Sequence, residues 1–127
     1  MDELIKQIVA FQKERDWEQY HLPKNLAISL SLEASEVLEI FQWSKNLDLP
    51  ADKKQLLADE LADVFYYLLL LSHETKIDLT SAFKRKMRQN AKKYPISKSK
   101  GKSTKYTDLW GYTPECRKSS LKTRLLT

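Results

Sequence analysis

Apolar residues recur at helical spacing along most of the first 96 residues, and no segment alternates polar and apolar side chains over the length of a strand. Prolines mark the boundaries of this pattern. Pro23 and Pro50 suit the first turn of a helix, and Pro95 suits a helix stop. We therefore predict an all-α bundle of four helices, over about residues 2–20, 24–45, 51–75 and 79–93.

The second and third predicted helices are apolar around most of their circumference. When residues are placed about 100° apart on a helical wheel, large apolar side chains lie on both sides of Glu33 in the second helix and of Glu60 in the third. Such a helix has to be covered on most sides. Because four short helices cannot cover two of this kind within one subunit, the pattern predicts a homo-oligomer.

Four carboxylates interrupt these apolar faces. Glu33 and Glu36 on the second helix, and Glu60 and Asp63 on the third, are each spaced i, i+3, which places both carboxylates of a pair on one face. Antiparallel pairing of the helices would bring all four together, and burying them unpaired would cost several kcal/mol per charge. No lysine or arginine lies between residues 55 and 75. An oxygen-only set of this kind fits a hard cation such as Mg²⁺ or Mn²⁺.

Two alternatives to such a site remain open for these acids. Acids spaced i, i+3 are common on helices and usually face water, so each pair taken alone is consistent with a solvated helix face. A di-iron bundle would carry Glu-x-x-His on two helices. The two histidines, His21 and His73, complete no such motif.

Composition excludes several classes of protein. The only cysteine, Cys116, can form no internal disulfide and no cysteine-cluster metal site. Both glycines, Gly101 and Gly111, follow residue 100, which excludes a glycine-rich phosphate cradle in the predicted bundle. The longest apolar run covers the eight residues 64–71, far short of the ~20 needed to cross a bilayer. Because the amphipathic pattern starts directly after Met1 with no signal peptide, we expect a cytoplasmic protein.

The net charge of +5 is unevenly distributed. Residues 1–96 carry a net charge of −1 and residues 97–127 carry +6. The Ser/Lys-rich segment 97–105 could touch phosphates, but such segments are more often solvated extensions, and no other basic face supports nucleic-acid binding. We therefore divide the chain into a folded domain of residues 1–96, a basic segment of residues 97–110 and a flexible tail of residues 111–127.

The order of the acidic pairs, Glu33-x-x-Glu36 and then Glu60-x-x-Asp63, resembles the MazG-like superfamily of all-α nucleotide pyrophosphohydrolases. Over about residues 2–109, the chain also resembles the dCTP pyrophosphatase subgroup, in the segments ERDWEQYH, PKNLAISLSLEASEVLEIFQW, DELADVFYYLLLL, KMRQNAKKYP and STKYTDL. The resemblance implies a Mg²⁺-dependent dNTP diphosphatase, with Mn²⁺ as a substitute, that cleaves substrates between the α and β phosphates. It further implies nucleotide-pool housecleaning and a homodimer or a homotetramer built as a dimer of dimers.

The resemblance also implies roles for individual residues. Glu33, Glu36, Glu60 and Asp63 correspond to metal ligands, and the general base is one of them, with Glu36 preferred and Glu33 as the other catalytic candidate. Residues matching the nucleotide pocket are Trp17, Tyr20, His21, Asn25, Trp43 and Tyr67, and residues placed to grip the phosphates are Lys86, Asn90, Lys93 and Tyr94. The basic segment, with Lys105 and Tyr106, is expected to fold over a pocket.

One position departs from the resembled subgroup. Ile8 stands where the dCTP-specific relatives carry a histidine near the base, so the preferred base is left open between dCTP, dATP and a broader range. Two further functions also stay open. One is a nucleotide-binding helical oligomer without turnover, and the second is a helical scaffold with a basic tail that binds nucleic acid.

Overall fold

The computed structural model describes residues 1–43, 49 and 51–110, and every regular element in that part of the chain is helical, which confirms the all-α prediction. None of these helices combines the length and the apolar composition that a membrane crossing requires. The elements are α1 (Asp2–Lys13), a 3-10 turn (Glu18–Tyr20), α2 (Pro23–Gln42), a second 3-10 turn (Ala51–Lys53), α3 (Lys54–Glu74), α4 (Leu79–Lys93), α5 (Ile96–Ser99) and α6 (Tyr106–Leu109).

The first helix is shorter than its sequence pattern predicts. The predicted range of residues 2–20 is wrong because α1 ends at residue 13 and the chain then turns sharply. Asp16 adopts a φ of 53°, in the left-handed region that aspartate tolerates better than most residues. The backbone N–H of Trp17 donates to the carbonyl of Gln12 at 3.1 Å, which closes the turn. As a result, the Trp17 ring packs edge-on against Phe11 of α1, with ring centroids 6.0 Å apart.

The helices α2 and α3 form the centre of the fold and run antiparallel. α3 packs mainly against α2, and also against α1. Glu36 in α2 lies beside Glu60 in α3, and nearer the end of α2 the Lys53 ammonium donates to the carbonyl of Ile40 at 3.0 Å. Residue numbers therefore rise along α2 as they fall along α3. The predicted end of the second helix, at residue 45, is wrong, because α2 ends at Gln42 with Trp43 as its C-cap.

Only a small core is buried within one chain. Among the described residues, its buried apolar side chains are Leu26, Ile40, Leu69 and Leu70, of which Leu26 and Leu69 are fully buried. Many other large apolar residues of α2 and α3 stay exposed, including Leu38, which is 69% exposed. This single-chain surface agrees with the wheel analysis, in which two helices that are apolar on most sides exceed what one subunit can cover.

The chain divides into two compact units, residues 1–79 and 80–127, of which the second is described up to residue 110. α4 has the predicted bounds of residues 79–93, whereas α5 and α6, of four residues each, were not predicted. Within the second unit, the indole N–H of Trp110 donates to the carbonyl of Lys93 at 3.0 Å. This bond fastens the end of α6 to the last turn of α4.

Candidate metal and nucleotide site

Three carboxylates from α2 and α3 lie together in the middle of the helix pair. Carboxylate oxygens of Glu33, Glu36 and Glu60 all lie within 4.8 Å of one another. Glu33 and Glu60 are half-buried and Glu36 is exposed. Since Mg²⁺ and Ca²⁺ bind oxygen at about 2.0–2.6 Å, oxygens at this separation can share one ion. The group is close enough to act as a metal site.

Asp63, the fourth predicted ligand, lies beside this group rather than within it. It is exposed on α3, one turn after Glu60, and lines a cavity together with Glu33. Its negative charge is near enough to raise the pKa of both Glu33 and Glu60. The helix spacing therefore places all four acids close enough to affect one another's charge, and oxygens of three of them lie within 4.8 Å of one another.

Mutual repulsion disfavours the charged form of two of these acids. Loss of hydration raises the pKa of Glu33, and the charges of Glu36, Asp63 and Glu60 raise it further. Loss of hydration also raises the pKa of Glu60, followed by the charges of Glu36 and Asp63, a hydrogen bond with Glu36 and the charge of Asp59. No lysine or arginine in the described ranges forms an ion pair with the four predicted ligands. A bound cation would therefore relieve this repulsion.

A cavity of about 540 Å³ lies beside the carboxylates. This volume is within the range of small-molecule sites, which is about 300–1,000 Å³. The lining combines apolar and aromatic side chains with two of the predicted metal ligands, and consists of Gln7, Ile8, Phe11, Trp17, Glu33, Asp63, Tyr66 and Tyr67. Such a combination suits a ligand with a flat apolar part and, once a cation is bound to the carboxylates, an anionic part that the cation attracts.

Two elements supply the apolar wall of this cavity. On α1, Ile8 and Phe11 are spaced i, i+3 and face the same side, and the turn after α1 brings Trp17 against Phe11. On α3, Tyr66 and Tyr67 follow Asp63 by three and four residues, which places them one turn beyond it. The two tyrosine rings meet edge-on with centroids 5.1 Å apart. The aromatic wall and the acidic end of the cavity are thus joined through α3.

Three lining residues were not singled out by the sequence analysis: Gln7, Phe11 and Tyr66. A signal for Tyr66 was present, since it follows Asp63 at i+3 just as Tyr67 follows it at i+4. Burial raises the pKa of the Tyr66 phenol and so does Tyr67, while the positive charge of Arg15 acts in the opposite direction. For Gln7 and Phe11 no motif was available, because their role depends on which face of α1 meets α3.

Four of the residues predicted for the nucleotide pocket lie outside the lining of this cavity. His21 borders a separate cavity of about 20 Å³, where its Nδ1 atom is buried and has no hydrogen-bond partner among the described residues. Tyr20 is 62% exposed, and its carbonyl accepts a hydrogen bond from the Asn25 amide at 2.9 Å. Trp43, directly after α2, is 83% exposed. Within one chain, only Trp17 and Tyr67 of the predicted pocket residues border the large cavity.

The residues predicted to grip phosphates belong to the second unit. Lys86, Asn90 and Lys93 are spaced i, i+4 and i+7 on α4 and therefore share a face. The Lys93 ammonium lies 4.9 Å from the centre of the Tyr106 ring, and Tyr94 meets the same ring edge-on with centroids 6.0 Å apart. Lys93 and Tyr94 therefore contribute to the aromatic contacts that join α4 and α6.

Comparison with known proteins gives three kinds of match. A family model described as the MazG-like family matches residues 28–109, which include all four predicted ligands. The protein "dCTP pyrophosphatase 1" of Mus musculus is 40% identical over 104 residues, covering 78% of this chain and 61% of the relative. The Homo sapiens protein of the same name is 38% identical over 104 residues, with the same coverage of 78% and 61%. The chain thus spans about three fifths of the length of these curated relatives.

The match to a solved structure covers a larger share of the matched protein than the matches to the curated relatives do. The crystal structure of a pyrophosphatase from Archaeoglobus fulgidus is 43% identical in sequence and superposes with a TM-score of 0.71. The match covers 75% of this chain and 92% of that one. The similarity therefore extends over nearly the whole of the solved chain.

Proposed function

The chain belongs to the MazG-like family, and from that premise we propose that it is a nucleoside triphosphate pyrophosphohydrolase. Its proposed substrates are deoxynucleoside triphosphates, which it hydrolyses between the α and β phosphates to dNMP and pyrophosphate. The observation that carries this proposal is the convergence of Glu33, Glu36 and Glu60 beside a cavity of about 540 Å³ with an aromatic wall. The names of the curated relatives and of the archaeal structure support the same chemistry.

A divalent cation fits the donor set at this site. The donors are carboxylate oxygens that repel one another and have no ion-pair partner among the described residues. Such a set favours a hard ion, and we propose Mg²⁺, with Mn²⁺ as a substitute, held by Glu33, Glu36, Glu60 and Asp63. When bound, the ion would supply charge neutralisation at the phosphates and a lowered pKa for a bound water molecule.

The chain itself must supply a base for the attacking water. A carboxylate that is not fully engaged as a ligand can accept this proton. Glu36 is our preferred candidate, because it is exposed while its neighbours Glu33 and Glu60 are half-buried. A carboxylate oxygen of Glu36 lies within 4.8 Å of one of Glu60, so the Glu36 side chain reaches across to α3.

The cavity beside the carboxylates is the proposed site of the base. Trp17 and Phe11 offer flat apolar surfaces, and Tyr67 stands one turn from Asp63, so that one ligand can meet both the ring and the metal site. The names of the curated relatives point to dCTP. Because Ile8 borders the cavity where dCTP-specific relatives carry a histidine, we propose dCTP or dATP as the preferred substrate.

The remaining parts of the proposed site rest on the sequence pattern. Tyr20, His21, Asn25 and Trp43 are proposed to complete the nucleotide pocket, and the basic residues of α4 to grip the phosphates. The exposed apolar side chains of α2 and α3 support assembly into a homodimer or homotetramer. A cytoplasmic role in nucleotide-pool housecleaning remains a prediction.

A product analysis tests the proposed function. The purified protein is incubated with each of the four dNTPs, with Mg²⁺ or with a chelator, and the products are separated by chromatography. We expect dNMP and pyrophosphate only in the presence of the metal. Release of orthophosphate would contradict the proposed bond cleavage, and nucleotide binding without turnover would indicate the non-catalytic alternative. Binding of nucleic acid, with neither hydrolysis nor binding of dNTPs, would indicate the helical scaffold with a basic tail.

A further inference from the structure

The large cavity contains one neutral amide side chain among its lining residues. Gln7 lies on α1, next to Ile8 and one turn before Phe11, and its side chain borders the same space as Trp17. Its carboxamide makes no hydrogen bond to another residue in the described ranges. By contrast, Gln19 and Gln55 use their amides in bonds to Asp16 and Asp59. The Gln7 amide is therefore available to a ligand.

The chemistry of the amide differs from that of the other polar groups in the lining. The carboxylates of Glu33 and Asp63 accept hydrogen bonds when ionised, and each tyrosine offers a single hydroxyl. A carboxamide instead presents a donor and an acceptor side by side on one plane. The Watson–Crick edge of a nucleobase likewise presents donors and acceptors side by side, and glutamine forms two parallel hydrogen bonds with the N6/N7 edge of adenine in protein–DNA complexes.

We propose that Gln7 binds the hydrogen-bonding edge of the substrate base, which lies against Ile8, Phe11 and Trp17. This inference rests on the proposed function, since it assumes that the cavity holds a nucleotide. Because no residue in the described ranges fixes the amide, it can rotate by half a turn. It then pairs with an amino group beside a ring nitrogen, as in adenine and cytosine, or with a carbonyl beside a ring N–H, as in guanine and thymine.

Two substitutions at this position test the proposal. Gln7→Leu keeps the approximate volume and removes both hydrogen bonds. Since each net hydrogen bond is worth about 0.5–1.5 kcal/mol and two are lost, we expect KM to rise about 5- to 150-fold for each dNTP, with kcat little changed. Gln7→Glu keeps the shape but only accepts hydrogen bonds. The new carboxylate suits guanine, whose edge presents two adjacent hydrogen-bond donors. In this variant, kcat/KM for dGTP should therefore rise roughly fivefold relative to the values for dATP and dCTP.

The controls separate this proposal from a change in folding and from failure of the proposed function. Gln7 is exposed, so Gln7→Leu should unfold at the temperature of the unaltered protein. Gln89→Leu makes the same change at an exposed position of α4 and should leave all four KM values unchanged. If the unaltered protein hydrolyses dNTPs but both Gln7 variants keep its KM values and base ranking, only the assignment of Gln7 is overturned. If the unaltered protein hydrolyses no dNTP, the proposed function fails and this inference fails with it.

Discussion

At the scale of single residues, the four predicted ligands differ in their access to water. Glu33 and Glu60 are half-buried and have raised pKa values, whereas Glu36 and Asp63 are exposed. The repulsion disfavours the ionised forms of the half-buried pair most, because water stabilises their negative charges less than those of exposed carboxylates. The exposed pair is in direct contact with solvent. The substitutions with the clearest expected effects are therefore those at Glu36 and Asp63.

Glu36→Gln and Asp63→Asn should each lower kcat by about a hundredfold or more, since each removes a negative charge from the metal site while keeping the shape of the side chain. The melting temperature of the metal-free protein should rise, because the charges of Glu36 and Asp63 both disfavour ionised Glu33 and Glu60. Turnover at saturating Mg²⁺ and thermal unfolding in chelator measure the two effects. Glu39→Gln, an exposed acid on α2, is the matched control. Unimpaired hydrolysis by both variants would remove the site from consideration.

Trp17→Ala should raise KM for the preferred dNTP. Loss of one stacking partner costs ~1–3 kcal/mol per base in single-strand binding sites, which is about 5- to 150-fold in affinity. Binding of Mg²⁺ to the free protein should change little, because Trp17 is placed by the turn after α1 and not by the acidic helices. Steady-state kinetics and metal titration give the two values.

Trp43→Ala is the comparison for this variant. Trp43 lies outside the lining of the cavity in a single chain. If one chain forms the whole pocket, we therefore expect KM to rise less in Trp43→Ala than in Trp17→Ala. An equal rise for both variants would require a pocket completed by a second copy. No rise for Trp17→Ala would mean that this ring only packs against Phe11.

Ile8→His should shift the preference towards dCTP. Ile8 borders the cavity, and the new imidazole would add the hydrogen-bonding group that the resemblance to the dCTP-specific subgroup leads us to expect at this position. The ratio of kcat/KM for dCTP to that for dATP is the measurement. Leu4→His places the same side chain one turn earlier on α1, outside the lining, and should leave this ratio unchanged. An unchanged ratio in Ile8→His would place base selection elsewhere.

At the scale of elements, the α2–α3 pair concentrates like charges where the two helices touch. Antiparallel packing aligns two i, i+3 pairs of acids that would each be well hydrated on an isolated helix. The helix pair is therefore held together by its apolar contacts against the repulsion of its own carboxylates. This balance makes the stability of the pair dependent on pH and on metal.

The metal-free protein should become less stable as pH rises from 4.5, the ordinary value for Glu33 and Glu60, through their raised pKa values. In this window the folded chain binds more protons than the unfolded chain, so the free energy of unfolding falls with increasing pH. Their favourable contribution is complete below 4.5 and is lost above the raised values. Thermal unfolding in chelator over this range measures the slope.

Two variations check the cause of this slope. Glu33→Gln removes one of the two groups and should flatten the pH dependence. Added Mg²⁺ should raise the melting temperature at neutral pH, where the carboxylates are ionised, more than at acidic pH. A melting temperature that does not change with pH across the window would contradict the repulsion.

At the scale of the whole molecule, the exposed apolar surface is the main feature that one chain leaves unexplained. Leu32 is 59% exposed and Leu38 69% exposed on α2, and Leu61 is 51% exposed on α3. Exposed apolar residues are ordinary when scattered, but large contiguous patches commonly mark interaction sites. These side chains lie on the same two helices that carry the acids, so assembly and the candidate site are linked through α2 and α3.

Sedimentation at micromolar concentration should show a dimer or a tetramer rather than a single chain, whose mass is 14.9 kDa. Leu38→Lys should shift the distribution towards the monomer, because a charged side chain cannot be buried there without a partner. Asp2→Lys introduces the same side chain at an exposed polar position of α1 and should leave the assembly unchanged. A fully active monomer would show that the apolar surface has another role.

Local pattern alone was sufficient for much of the fold. Helical periodicity is a property of neighbouring residues, so the all-α class and the bounds of α4 followed from the sequence. The spacing of Glu33, Glu36 and Glu60 fixed which helix faces carry acid, and a single antiparallel pairing then brings them together. The family was recognisable for the same reason, since its motifs are short and local.

Contacts between separate elements could be decided only by the tertiary structure. The left-handed backbone at Asp16 ends α1 early, although the apolar pattern continues, because a tertiary turn overrides helical propensity there. The meeting of α1 with α3 places Gln7 and Tyr66 in the cavity and leaves His21 beside a different one. Spacing along one helix fixes which side chains share a face, but only packing determines which faces meet.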